Sequence, residues 1–229
     1  AERDKVMGWR ASAQSLGGAV WPFIGGALGA ISWRLPFAVY LLGIPVAVLA
    51  VIVLPEPVPH AQPKARSNEP AASALRTISD NPVLFVIYGL MFSANLLLYV
   101  VVIFVPQKLE TIGVSSTLHI GLFLTLQACA SGLIAFCYGA VRSRLSYHTV
   151  ALIAAALWGA AFASLSLSAN ALAAAFSVTL FGIGHGLMMP SAMVWLGSVA
   201  PPSLRGRLSS YLGTLGFIGQ FLSPVVFGP

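Results

Sequence analysis

The sequence predicts an all-α polytopic membrane protein with seven transmembrane helices, and three observations carry that prediction. Of the 229 residues, 58% are hydrophobic and 8% are charged, with a mean hydropathy of +0.88. An ordinary soluble domain is about a quarter charged. Twelve basic and six acidic side chains cannot cover a water-soluble fold of this size, so the apolar residues must face lipid or other buried helices. The apolar residues gather into seven separate stretches, and the basic residues between the stretches fall almost entirely on one side. A bilayer core of about 30 Å needs about 20 mostly apolar residues per helix. Barrel strands would run to about ten residues and alternate polar with apolar, which these stretches do not.

In order, the stretches are 11–31, 36–54, 83–105, 118–138, 150–167, 171–194 and 208–226, and none of them contains Asp, Glu, Lys or Arg. Pro22, Pro45 and Pro190 fall inside spans, where neighbouring helices satisfy the freed carbonyls. Small residues recur at close spacing, as in Gly25/Gly29, Gly182/Gly186 and Gly213/Gly216/Gly219, and they let helix backbones approach closely. A packed bundle is therefore expected. The fourth stretch holds Cys129 and Cys137, about 12 Å apart along a helix axis and too far apart for a disulfide.

The loops orient this bundle. Arg3, Lys5, Arg10, Lys64, Arg66, Arg76, Arg142, Arg144, Arg205 and Arg207 fall on one side, against Arg34 and Lys108 on the other. This asymmetry places the N-terminal end in the cytoplasm. It also makes the net charge of +6 and the pI near 9.8 a signal of topology, so no nucleic-acid partner is expected. A G-protein-coupled receptor would run the other way. A retinal protein would need a membrane lysine, and Lys5, Lys64 and Lys108 all read as loop residues. The segment 55–82, rich in Pro, Ala and Ser, reads as a flexible cytoplasmic linker. It divides the chain into a two-helix piece, 1–54, and a five-helix piece, 83–229.

The first stretch contains Gly17-Gly18-Ala19-Val20-Trp21-Pro22-Phe23-Ile24-Gly25-Gly26. This resembles the fifth-helix G-x-x-x-G-P-x-x-G-G signature of drug/proton antiporters in the major facilitator superfamily. Gly17, Pro22, Gly25 and Gly26 match, and Trp21 stands where the second Gly is expected. An indole there should loosen or reshape a close helix contact. Ser32-Trp33-Arg34 and Leu54-Pro55-Glu56 resemble the ends of the fifth and sixth helices. The segment Gly139-Ala140-Val141-Arg142-Ser143-Arg144-Leu145-Ser146 resembles a degenerate second copy of the G-x-L-x-D-R-x-G loop, with Ser143 and Ser146 in place of Asp and Gly.

The resemblance covers nearly the whole chain as helices five to eleven of twelve, which implies a piece of a longer protein that would not transport alone. It implies a major-facilitator-type two-bundle fold, with 1–54 closing the N-terminal bundle, 55–82 as the central loop and 83–229 in the C-terminal bundle. The implied activity is secondary active transport of small organic molecules, as drug or metabolite efflux by alternating access in a bacterial inner membrane. Gly139, Arg142 and Arg144 would form a cytoplasmic gate loop.

Candidate site residues follow from polar groups at membrane depth, which should face protein or water. Tyr88, Phe92, Asn95 and Tyr99 recur at intervals of four, three and four, within an arc of about 60° on one helix face. They form either a cavity wall or an interhelical packing stripe. His185 lies among glycines in Gly182-Ile183-Gly184-His185-Gly186, as a cavity residue, a proton relay or a packing residue. Met188 and Met189 could adapt to apolar substrates or fill core. Gln14, Gln127 and Gln220 could bond across helices or flank a cavity. No catalytic residue, metal site or cofactor is expected, and no G-x-x-x-x-G-K-[ST] phosphate loop is present. The expected partners are a small-molecule substrate, the lipid bilayer and a candidate coupling proton; nothing implies an oligomer. Two alternatives are a non-transporting scaffold or sensor, and an intramembrane protease built on Ser131, Gly132 and His185.

Overall fold

The computed structural model describes the backbone of residues 2–53 and 71–228 and the side chains of 17–53 and 74–228. Among these residues the regular structure is helical throughout: α1 Glu2–Ile31, α2 Leu35–Ala38, a 3-10 turn Val39–Leu42, α3 Gly43–Val53, α4 Ala71–Asp80, α5 Pro82–Thr111, α6 Thr117–Phe136, α7 Tyr138–Arg142, α8 Tyr147–Ser166, α9 Ala171–Val199 and α10 Arg205–Phe227. Three of the long helices start on side-chain caps. Asn81 accepts from the Val83 amide at 3.1 Å, with Pro82 in the first turn where its missing N–H costs nothing. Ser146 accepts from the Thr149 amide at 3.1 Å, and Asn170 from the Ala173 amide at 2.9 Å.

Six segments are long and apolar enough to cross a membrane: Leu35–Val53, Pro82–Thr111, Thr117–Phe136, Tyr147–Ser166, Ala171–Val199 and Arg205–Phe227. The expected span 11–31 is the C-terminal part of α1, whose described apolar portion, Gly17–Ile31, is shorter. Several boundaries differ from the sequence reading. Lys108 belongs to the last turn of α5, and Arg205 and Arg207 open α10, because basic residues at the lipid–water boundary let a helix continue past its apolar part. Ala71–Asp80, assigned above to a flexible linker, is helical; Ala74 is fully buried and Ile78 packs beside it, so one apolar face docks on the bundle. The stretch 54–70, with Lys64, Arg66, His60 and the Leu54-Pro55-Glu56 motif, lies outside the described residues, as do the side chains of Arg3, Lys5, Arg10 and Gln14.

Helix α9 is the centre of the bundle and packs against α5, α6, α8 and α10. Its buried residues cover most of its circumference and leave one strip, with Leu172, Phe176 and Val194, exposed, as expected for a helix largely enclosed by others. Around it, α10 lies on α5 and α1 on α6. No residue of α2, the 3-10 turn or α3 is buried. One apolar cluster holds Ala74, Tyr88, Trp195, Leu204 and Leu208, which brings α4, the starts of α5 and α10 and the end of α9 to one end of the bundle. Arg76, Arg142, Arg144, Arg205 and Arg207 collect at that end. At the other, the Lys108 ammonium donates to the Ser166 carbonyl at the close of α8.

Candidate transport site and helix crossings

Close approach begins with glycine. A Cβ on Gly26 would lie 2.7 Å from the Thr117 carbonyl oxygen and 3.0 Å from the Gly121 Cα. One on Gly121 would lie 2.6 Å from the Pro22 carbonyl oxygen. The α1–α6 crossing is thus backbone against backbone, which only residues without a side chain permit. Gly25 faces open space, and Gly17 is covered by the Trp21 indole 3.6 Å away. Of the motif residues, Gly26 and Pro22 therefore meet α6, and Gly17 and Gly25 do not. Trp21 is half-exposed and lines the outer side of α1. The expected loosening of the contact by its indole does not occur, because the side chain points away from the crossing.

A second set of crossings surrounds His185. Gly182 abuts the Gln127 carbonyl, Gly186 abuts the Ser131 carbonyl, and Gly184 accommodates the Trp158 indole. With glycine on two sides, α9 sinks between α6 and α8, and His185 is buried. Its ring stacks on Phe181, with centroids 5.8 Å apart and planes 20° apart, and Phe181 stacks in turn on Trp158. His185 Nδ1 and Trp158 Nε1 are sealed without a hydrogen-bond partner. No serine hydroxyl bonds to His185 among the described residues, so the Ser131–His185 pair lacks the hydrogen bond that a protease base needs. Met189, partly buried, bridges the two apolar clusters.

The α5 stripe faces α10. The buried Tyr88 hydroxyl donates to the Leu208 carbonyl at 2.9 Å. Asn95, also buried, donates to the Met91 carbonyl at 3.0 Å and accepts from Gln220 Nε2 at 2.8 Å. Gly216 and Gly219 leave room for Asn95 and the Phe92 backbone. Phe92 and Tyr99 are half-buried. The structure thus ties Tyr88 and Asn95 to α10, and His185 to α6 and α8, with no hydrogen bond joining the two sets. Gln220 becomes a partner of Asn95, and Gln127 is buried where α6 meets α9. Neither pairing can be read from one strand of sequence; the 3.6-residue spacing of the small residues shows that a close neighbour exists, not which helix supplies it.

At the basic end, the segment read as a gate loop is partly the short helix α7. Gly139 has open space around it. Arg144 is exposed, whereas Arg142 is half-buried, with its guanidinium 3.8 Å above the centroid of the Tyr147 ring and Nη1 donating to the Leu145 carbonyl at 2.8 Å. Separately, an apolar groove of about 630 Å³ runs between α1 and the α2–α3 segment, lined by Trp21, Gly25, Phe37 and Tyr40 among others. It contains none of the residues proposed for a cavity except Gly25 of the motif.

No curated protein matches the chain. The family model of the Major Facilitator Superfamily matches residues 1–224. Together with the membrane-length helices, a match over nearly the whole sequence makes this chain a multi-pass membrane transporter belonging to the Major Facilitator Superfamily.

Proposed function

We propose that the protein exports small, largely apolar organic molecules by alternating access, in the manner of the drug/proton antiporter branch, with its basic end in the cytoplasm of a bacterial cell. The observation that carries this reading is the α1–α6 crossing. If 1–54 closes one bundle and 83–229 forms most of the other, Gly26 and Gly121 are where the two bundles touch. A contact whose closest point is backbone on backbone, with no hydrogen bond across it among the described residues, can roll without breaking specific bonds, as alternating access requires.

Phe92, Tyr99, His185 and Met189 form the substrate wall in this reading. Tyr88 and Asn95, already engaged by α10, hold α5 in register so that the aromatic rings keep their positions. Gly139 and Arg144 serve the cytoplasmic gate, since Arg142 is turned back onto its own bundle. Glu110 and His119 lie at the ends of their helices and no carboxylate lies deeper in a span, so His185 is the group at mid-span able to take a coupling proton.

The test is efflux of ethidium, an apolar cation suited to an aromatic wall, from vesicles holding the full-length transporter of which this chain is expected to be a piece. A proton gradient should drive efflux and an uncoupler should abolish it. Gly26→Val should cut the rate at least tenfold with the protein still inserted, and His185→Ala should flatten its pH dependence. Unchanged rate and pH profile in His185→Ala would remove His185 from the proposal. Efflux indifferent to Gly26→Val would remove the rolling contact.

A further inference from the structure

Arg142 stands at the basic end among side chains drawn from three helices. Its guanidinium caps the Tyr147 ring, Tyr147 stacks on Trp195 with centroids 5.3 Å apart and planes 3° apart, and His148 meets Trp195 edge-on at 4.9 Å. Beside it, the buried Tyr138 hydroxyl lies against Ser191 without an aligned hydrogen bond. Of the five guanidinium N–H groups, one reaches the Leu145 carbonyl, and Nε is sealed against its surroundings without a hydrogen-bond partner. Nη2 is not sealed and has no hydrogen-bond partner among the described residues. Among the described residues no carboxylate pairs with Arg142: Asp80 is engaged by Arg76 at 3.6 Å, and Glu110 lies in the last residues of α5, at the opposite end.

Among the described residues this half-buried cation has no counter-charge, whereas buried charges are ordinarily paired. This one is also pre-organised. The flat aromatic stack fixes the plane of the guanidinium, so its free edge can meet two oxygens of one anion at little entropic cost. The depth of the stack says which anion. Tyr147 and His148 open α8 and Trp195 lies in the last turns of α9. That is the lipid–water boundary, where Trp and Tyr concentrate and where lipid phosphates lie. Arg144, two residues from Arg142, is exposed at the same end, which favours an anionic headgroup over a zwitterionic one.

We propose that Arg142, mounted on the Tyr147–Trp195 stack with His148 beside it, is a binding site for the phosphate of an anionic phospholipid headgroup. The site is independent of what the protein carries. It makes the anionic lipid of one leaflet a structural ligand that ties α7 to the ends of α8 and α9.

The experiment is native mass spectrometry of the purified protein released from nanodiscs of phosphatidylglycerol or of phosphatidylcholine, counting retained lipid. The wild type should retain phosphatidylglycerol in preference. Arg142→Gln should lower that retention about fivefold, the effect of one basic contact near the membrane surface. Arg142→Lys should keep part of it, and Arg205→Gln, at the same end but outside the stack, should leave it unchanged. Tyr147→Leu keeps the charge and removes its mount, and it should also lose retention; it decides the matter if Arg142→Gln does not fold. Equal retention in wild type and Arg142→Gln overturns the site, as does equal loss in Arg142→Gln and Arg205→Gln, which would mean diffuse charge attraction. Displacement of the lipid by millimolar inorganic phosphate would identify a soluble-anion site instead and overturn the lipid assignment.

Discussion

Asn95 places one amide hydrogen on the Met91 carbonyl and takes another from Gln220, so a polar side chain at membrane depth is satisfied from two sides. His185, equally deep, leaves Nδ1 sealed and unbonded and relies on ring stacking against Phe181. The two residues should respond to substitution in opposite ways. Asn95→Leu strands Gln220 and should cost about 0.6 kcal/mol, the average for a hydrogen bond between membrane helices, as read by thermal unfolding in detergent. His185→Phe keeps the stack and removes an orphaned nitrogen whose burial costs roughly 1–3 kcal/mol, so the same melt should show equal or greater stability. A drop would mean that His185 has a partner in the membrane. The sequence located both residues, since a lone polar side chain in an apolar stretch is conspicuous. It could not show that one is paired and the other is not, because Gln220 lies 125 residues from Asn95.

Two adjacent glycines on α1 give the clearest test at the scale of the helix. Gly26→Ala puts a methyl group 2.7 Å from the Thr117 carbonyl and forces α1 and α6 apart, an overpacking cost of about 1–3 kcal/mol. Gly25→Ala meets nothing within 4 Å and gains helix propensity, so it should be neutral or stabilising by up to about 1 kcal/mol. Comparing the two melts separates the crossing from any general effect of glycine. The spans themselves were legible from apolar runs, because about 20 such residues have few other destinations. Helix α4 was not, since Pro, Ala and Ser around it suggested a linker. Its signal was present in Ala74 and Ile78, four residues apart, followed by the Asn81-Pro82 helix start.

For the molecule as a whole, the five described arginines at one end and Arg34 and Lys108 towards the other turn the loop count into a spatial polarity that labelling can read. With Cys129 and Cys137, both free, replaced by serine, Arg144→Cys should react with an impermeant maleimide in inside-out vesicles, and Gln107→Cys in right-side-out ones. The reverse pattern would invert the orientation argued from the basic residues. The two-bundle division follows from resemblance and stays a proposal, but the structure adds where such bundles would touch. At that place the opposed surfaces are Gly26 and Gly121, and this has a genetic consequence. Every single-nucleotide change that replaces a glycine adds at least one carbon to it. The crossing therefore has no neighbouring sequence that preserves its geometry, and any lineage that alters one of these residues must first accept helices that stand further apart.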